Sequence, residues 1–354
     1  MERYSIPIIG IIGLAVLCTY SWWYYFTVTF FLGIMLYICF IFASDGDVLL
    51  MMYEKFGQKP DVFKDKVVWI TGASSGIGEC LAVALAQTGA KLILSSRREK
   101  ELERVKERCL KESNVQSDDV LVVVLDANKF DTHRECAEKA FQHFGKIDVL
   151  INNSGVSQRA GIHTTTIEAD QFVLRTNLLG AISVTKCILP YMVEQNSGHI
   201  INVSSVAGKL SSPCSATYSA SKFGMIGYFD TVRAEVYNSN IAVTNICPGP
   251  VVSNIAENAI QETLDKKKKI LQIDPVKNYD GQAERGWNLL QTGERCAELI
   301  LIAAANKLKE VWISRPPLLI VVYMSQYMPT CFRFLSARLG MKKAKAFKMS
   351  QSTE

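Results

Sequence analysis

From Ser5 to Ala43 the chain carries no charged residue. About 20 apolar residues make one membrane-spanning helix, so this run suffices for one helix with a long flank or for two. Ser21-Trp22-Trp23-Tyr24-Tyr25 lies in its middle, and such aromatics favour the water–lipid boundary. A helical hairpin turning there and a single anchor with an interfacial stretch both fit. A cleaved signal peptide would have an apolar core of about 7–15 residues behind a basic start. Here only Arg3 precedes a much longer run, which favours a retained N-terminal membrane anchor over residues 1–45. Lys55, Lys59, Lys64 and Lys66 follow it, which for a single span leans towards a cytosolic catalytic part.

Residues 46–65 are polar and mixed and read as a linker. From Lys66 to Ser314 short apolar runs alternate with longer helical patterns. Strands are expected at Val67–Thr71, Lys91–Ser95, Val120–Asp126, Ile147–Asn152, His199–Ser204, Ala242–Cys247 and Glu310–Ser314. Between them, helices are expected at Cys80–Thr88, Glu99–Lys111, Glu135–Phe144, Phe172–Tyr191 and Ser219–Tyr237. Apolar strands alternating with helices indicate an α/β domain, residues 66–314, built on a doubly wound, seven-stranded parallel sheet. Ile255 to Trp287 breaks the alternation with a polar, irregular insertion, as expected of a substrate loop. Residues 315–354 form an apolar extension, PPLLIVVYMSQYMPTCFRFL, and a basic tail with Lys342, Lys343, Lys345 and Lys348. The extension suits a cap over a pocket or a surface dipping into lipid.

Composition adds little beyond this. The chain has 354 residues, 49% of them hydrophobic, with a net charge of +5. Its basic residues are scattered apart from Lys266–Lys269, so nothing suggests nucleic-acid binding. The mild basic excess suits a protein beside anionic lipid. The 10 cysteines form no Cys-x-x-Cys pair, and no metal site is expected. The sequons at Asn152 and Asn202 fall in expected buried strands, so they say little about compartment.

Candidate chemistry starts with TGASSGIG, Thr71 to Gly78, directly after the first strand. Glycines at 72, 76 and 78 permit a tight turn and close backbone approach. The helix that follows offers unpaired N–H groups to a pyrophosphate. The second strand ends in Ser95-Ser96-Arg97-Arg98, without the carboxylate that holds both ribose hydroxyls of NAD. A guanidinium can bind a 2′-phosphate through paired hydrogen bonds, so NADP(H) is expected. The alternative is a pair of solvated arginines that merely starts a helix. Further on, YSASK places Tyr218 and Lys222 at i and i+4, on one face of a helix. Either they share a solvated stripe, or the ammonium lowers the pKa of a phenol that donates a proton.

TGASSGIG, NNSG (Asn152–Gly155), VSS (Val203–Ser205), YSASK and Pro248-Gly249 occur in the order seen in short-chain dehydrogenases/reductases, which the chain therefore resembles from about Lys66 to Ser314. The resemblance implies a Rossmann-like fold. It makes Tyr218 the acid that protonates the substrate oxygen, Ser205 a donor to that oxygen, Lys222 the lysine on the nicotinamide ribose and Asn177 the holder of a relay water. It sets Gly72, Ser74, Ser75, Gly76, Ile77 and Gly78 around the pyrophosphate, with Arg97 and Arg98 beside the 2′ position and Asp126 at the adenine. Asn153 and Gly155 would flank the ribose, and Pro248, Gly249, Val251 and Ser253 would meet the nicotinamide. Two departures, Ser154 for the usual alanine and Ser253 for the usual threonine, leave the chemistry intact.

The implied activity is a membrane-bound, NADPH-dependent interconversion of carbonyl and alcohol groups on lipophilic substrates such as steroids, retinoids or xenobiotics. Reduction of 3-ketoacyl lipid chains and a cofactor-binding scaffold without turnover are the alternatives. The resemblance also implies a homodimer formed through Phe172–Tyr191 and Ser219–Tyr237, although their periodicity could equally be core packing. With the N-terminal run, it implies an endoplasmic reticulum membrane location.

Overall fold

A computed structural model describes residues 22–35, 44–253, 255, 258–264 and 290–338. The chain divides into two compact units, Met1–Ser44 and Asp45–Glu354. In the first, residues 22–35 form helix α1, with every side chain exposed. The remainder of the expected anchor up to Ala43, most of the expected substrate loop, through its end at 287, and the basic tail lie outside the described residues.

The second unit is built on a seven-stranded sheet in the order β3-β2-β1-β4-β5-β6-β7. Its strands are β1 Val67–Thr71, β2 Lys91–Ser96, β3 Val120–Val124, β4 Val149–Asn152, β5 Gly198–Val203, β6 Ile241–Pro248 and β7 Glu310–Ile313. Every neighbouring pair is parallel. The Val/Ile-rich central strands are buried on both faces, β1 along its whole length, as a parallel sheet between helix layers requires. Trp69 at its centre is fully buried, and its indole donates to Ser95 Oγ at 2.8 Å. β3 ends two residues earlier than expected because Asp126 turns the chain, its Oδ1 accepting from Asn128 N at 3.0 Å.

The helices are α2 Val48–Phe56, α3 Gly76–Gln87, α4 Glu99–Glu112, α5 His133–Phe144, α6 Ile167–Leu174, α7 Gly180–Glu194, α8 Ala216–Glu235, α9 Gly293–Ala305 and α10 Leu318–Tyr327. A π-helical turn, Arg175–Leu179, joins α6 to α7. Among the described residues this continuous run, Ile167–Glu194, is the one helix long and apolar enough to cross a membrane, but 44% of its apolar window is buried in the domain. Val184, Ile188 and Met192 on its inner face join the core beside the sheet.

Residues 46–65, expected as a linker, are instead part of the folded unit. Asp47 caps α2 by accepting from Leu50 N at 2.9 Å, and Leu50 and Met51 are buried. Asp47 also accepts from Trp312 N at 2.6 Å and donates its own N–H to Trp312 O at 2.8 Å. The start of α2 thereby covers the edge strand β7, whose backbone would otherwise lie open. The apolar extension is also folded. Leu319 and Val322 of α10 are buried, and Ser325 Oγ and Gln326 Nε2 donate to Lys209 O at 3.1 and 2.7 Å.

Three asparagines in register cross the centre of the sheet near its carboxyl edge. Asn152 Nδ2 donates to Asn202 Oδ1 at 2.9 Å, Asn202 Nδ2 to Asn245 Oδ1 at 3.1 Å, and Asn245 Nδ2 to Asp230 Oδ1 at 2.9 Å. All three are at most 1% exposed, so both sequons are inaccessible in the folded domain. A buried polar group that loses its partner costs about 1–3 kcal/mol. Asn202→Leu strands Asn152 and Asn245 together and is expected to destabilise the domain by about 2 kcal/mol or more, measured by urea unfolding.

Candidate active site

The site lies along the carboxyl edge of the sheet, where β1 sits between β2 and β4 and the strand order reverses. Open parallel sheets bind ligands at this point. The loop after β1 turns through Gly72 (φ 67°) and Gly76 (φ 58°), both in the left-handed region. Gly78 is required for contact rather than for its dihedral. A Cβ there would lie 2.3 Å from Gly72 O, so α3 could not pack against the turn. Ser75, the residue before α3, makes no side-chain cap. The first N–H groups of the helix therefore keep the arrangement that receives an anion.

Asn153 holds this loop in place. Its backbone N–H donates to Thr71 Oγ1 at 3.0 Å, and its Nδ2 donates to Thr71 O and Gly72 O, both at 3.1 Å. The amide expected beside a ribose thus grips the glycine turn from below. On the other side, Arg98 Nη2 donates to Ser74 Oγ at 2.9 Å and Ser75 Oγ at 3.0 Å, while Arg97 is exposed. Neither has a carboxylate partner among the described residues. Arg104 and Arg108 differ: both pair with Glu79, and the hydrogen bond from Arg104 is the main force holding the Glu79 carboxyl below its ordinary value. The positive charge beside the turn therefore sits on Arg97 and Arg98. Asp126 lies after β3 with its carbonyl accepting from His133 Nε2 at 2.9 Å.

From the far side, the chain after β6 closes over the turn. Gly249 N donates to Ile313 O at 2.7 Å, and a Cβ on Gly249 would meet Ser314 Oγ at 2.6 Å. Val251 pairs with Gln291 in an isolated bridge. Ser253 then comes so close that a Cβ on Gly76 would lie 3.2 Å from its own Cβ. Glycine turn, uncapped helix and guanidinium groups without a carboxylate partner among the described residues together fit a dinucleotide.

Between these two walls the four expected catalytic residues converge. Asn177 sits in the π-helical turn, a feature frequent at functional sites. Its Oδ1 accepts from Val156 N at 2.7 Å, and its Nδ2 donates to Val156 O at 2.9 Å and to Ser221 Oγ at 3.0 Å. A Cβ on Gly155 would lie 3.3 Å from Asn177 Oδ1 and 3.7 Å from Lys222 Nζ, so the NNSG turn is seated against both. Ser205, just past β5, lies beside the Tyr218 phenol; its Oγ accepts from Ala207 N at 3.1 Å and donates to Pro248 O at 3.4 Å. Lys222 is buried, and its Nζ donates to Val203 O at 2.9 Å.

The electrostatics differ from the sequence expectation. Burial raises the Tyr218 pKa above its ordinary value, and the neighbouring Ser205 hydroxyl opposes that only in part. Lys222 Nζ is directed to the Val203 carbonyl and stands 5.9 Å from the centre of the phenol ring. Burial acts on Lys222 as well, lowering its pKa from 10.5 to about 8.

Sequence reasoning passed over Thr71, which links the β1 end to Asn153, and the trio Gln158, Asp170 and Thr217 beside the first turn of α8. No spacing rule marks such residues, because their partners come together only in the fold. Among the described residues no group of three potential ligands could hold a metal.

This edge is that of a nucleotide-dependent oxidoreductase. The family model for short chain dehydrogenase matches residues 66–264, and the chain belongs to that family. It is 42% identical over 307 residues to human dehydrogenase/reductase SDR family member 7, covering 86% of this chain and 87% of that protein. A Drosophila melanogaster relative, dehydrogenase/reductase SDR family protein 7-like, is 34% identical over 285 residues, 80% of this chain and 83% of that one. Among solved structures, a short chain dehydrogenase/reductase from Burkholderia phymatum in complex with NAD superposes with a TM-score of 0.64 at 26% identity, over 75% of this chain and 94% of the other.

The lowered Lys222 pKa links stability to pH. Between pH 8 and 10.5 the unfolded chain keeps this proton while the folded chain has lost it, so the lysine's contribution to stability rises with pH there. Lys222→Met is expected to flatten the pH dependence by up to about 1.4 kcal/mol per pH unit in that window, as urea unfolding from pH 7.5 to 9.5 would show.

Proposed function

We propose that the protein is a membrane-bound, NADPH-dependent reductase and dehydrogenase acting on the carbonyl and alcohol groups of lipophilic substrates, with steroids, retinoids and xenobiotic carbonyls as the class. The observation that carries this is Ser205 beside the Tyr218 phenol, with buried Lys222 and Asn177 set against the NNSG turn. When bound, the nicotinamide nucleotide supplies or accepts the hydride. The protein orients the reacting oxygen and moves its proton. Ser205 offers a hydroxyl to the developing oxyanion, and Tyr218 donates the proton in reduction. The burial that raises the phenol pKa keeps it protonated at neutral pH, the form an acid needs. Asn177, clamped to Val156 and Ser221, holds the NNSG turn against the helix that carries Tyr218 and Lys222.

Phosphate on the nucleotide is favoured by Arg97 and Arg98, which no carboxylate neutralises among the described residues. A lipid location in the endoplasmic reticulum is supported by the uncharged run Ser5–Ala43 and by α2. Leu49, Met52, Tyr53 and Phe56 stand at i, i+3, i+4 and i+7 of that helix and are all exposed, an apolar stripe suited to a membrane surface. A homodimer through α7 and α8 is supported by exposed Tyr191, Val193 and Phe223 on those helices.

NADPH oxidation by the purified protein against steroid, retinoid and ketoacyl carbonyls tests the substrate class, and the steroid or retinoid compounds are expected to turn over fastest. Tyr218→Phe is expected to lower turnover by about 100-fold or more while nucleotide binding persists; undiminished turnover would remove the mechanism. Arg98→Glu is expected to lower kcat/KM with NADPH by about tenfold or more and leave the value with NADH largely unchanged.

A further inference from the structure

Gln158, three residues past the NNSG turn, is 2% exposed. Its Oε1 accepts from Thr217 N at 2.9 Å and from Tyr218 N at 3.2 Å, two of the N–H groups that a helix start leaves open. The usual solution is a short polar side chain directly before the helix. Ser215 holds that position in α8 but makes no cap; its Oγ donates instead to Gln158 O at 3.0 Å. The cap thus comes from a residue 59 positions away from Thr217, and one of the peptide units it grips is that of Tyr218.

The other end of the Gln158 amide is held too. Its Nε2 donates to Asp170 Oδ1 at 2.9 Å, and the Thr217 hydroxyl donates to the same carboxylate oxygen. The backbone of Gln158 forms a parallel bridge with Ile260, in the segment that follows β6. Ile260 N donates to Ser157 O at 2.8 Å, Ile260 O accepts from Arg159 N at 2.9 Å, and nearby Glu262 O accepts from Thr166 N at 2.9 Å. One glutamine therefore joins the described part of the polar insertion, by its backbone, to the tyrosine peptide, by its side chain.

We propose that Gln158 is a positioning residue for the proton transfer, aligning Tyr218 on the substrate oxygen and tying that alignment to the seating of the segment around Ile260. This rests on Tyr218 being the acid. The pyrophosphate turn is built from other residues, so Gln158 acts on the chemical step and not on nucleotide binding. A displacement of about 1 Å at a reacting group can cost as much as 100-fold in rate.

The test uses the full chain with NADPH and the best carbonyl of the panel, at a temperature where each variant is folded. Gln158→Leu is expected to lower kcat about tenfold or more with the nucleotide Kd within about twofold. Gln158→Glu sets two carboxylates against each other and is expected to lose as much. Adding Asp170→Asn reverses the donor and acceptor of the pair and is expected to restore kcat. A kcat within about twofold of the parent in Gln158→Leu or Gln158→Glu overturns the proposal, as does a folded double variant without recovery. If the leucine variant fails to fold, the reciprocal pair decides alone. Tyr218→Phe separates the two readings. If it is inactive while the Gln158 variants remain active, only the positioning role falls; if it keeps full turnover, the mechanism falls and the positioning role with it.

Discussion

Parallel strands cannot be joined by tight hairpins, so no turn fixes where their carboxyl ends fall relative to one another. Yet the site needs four such ends, after β1, β4, β5 and β6, to deliver side chains to one place. Side-chain hydrogen bonds across the strands meet this constraint. Thr71 and Asn153 tie β1 to β4, and Asn152, Asn202 and Asn245 tie β4, β5 and β6. A slip of one residue in any of these pairs would turn every side chain of the slipped strand to the opposite face and misplace the loop beyond it. Because the asparagines are buried and each Nδ2 donates to the next side chain, the correct register is also the one that pairs their N–H groups. The glycine turn, Ser205 and the Pro248 corner come level for this reason.

Burial sets the electrostatic character of the centre. It raises the phenol, lowers the ammonium and leaves the carbonyl of Val203 as the partner of Lys222. In this state the pair behaves as a neutral acid beside a lysine of reduced basicity. The pull of a cation on a phenol, expected from the i, i+4 spacing, depends on where the side chains point, and Lys222 points to the Val203 carbonyl.

The layout of the sheet was legible because buried parallel strands leave unbroken apolar runs, and the strands fall within a few residues of the expected positions. The glycine turn was legible for a similar reason, since only glycine tolerates the backbone at 72 and 76. Residues 46–65 looked like a linker because a single short apolar run, Val48–Tyr53, is followed by mostly charged and polar residues. Their order derives from Asp47 binding Trp312, a contact without a local pattern. The side chain of Asn153 is found on the glycine turn, a contact that adjacency in sequence does not give, since it does not say which neighbour an amide will face. Gln158 was invisible for the strongest reason: its donors and acceptors lie at 170, 217 and 218, and it touches them only once β4, the π-turn helix and α8 have packed.

The contact between Asp47 and Trp312 also bears on how the chain is made. The two residues are 265 positions apart, so α2 emerges from the ribosome long before the strand it covers. Until β7 has been synthesised, the carboxylate of Asp47 lacks one of its two backbone donors and the first helix of the domain has no edge to rest on. The domain therefore closes from both ends at once, late in translation. Its first helix and its last strand act as a single clasp, which grafting a new terminus at either end would have to leave intact.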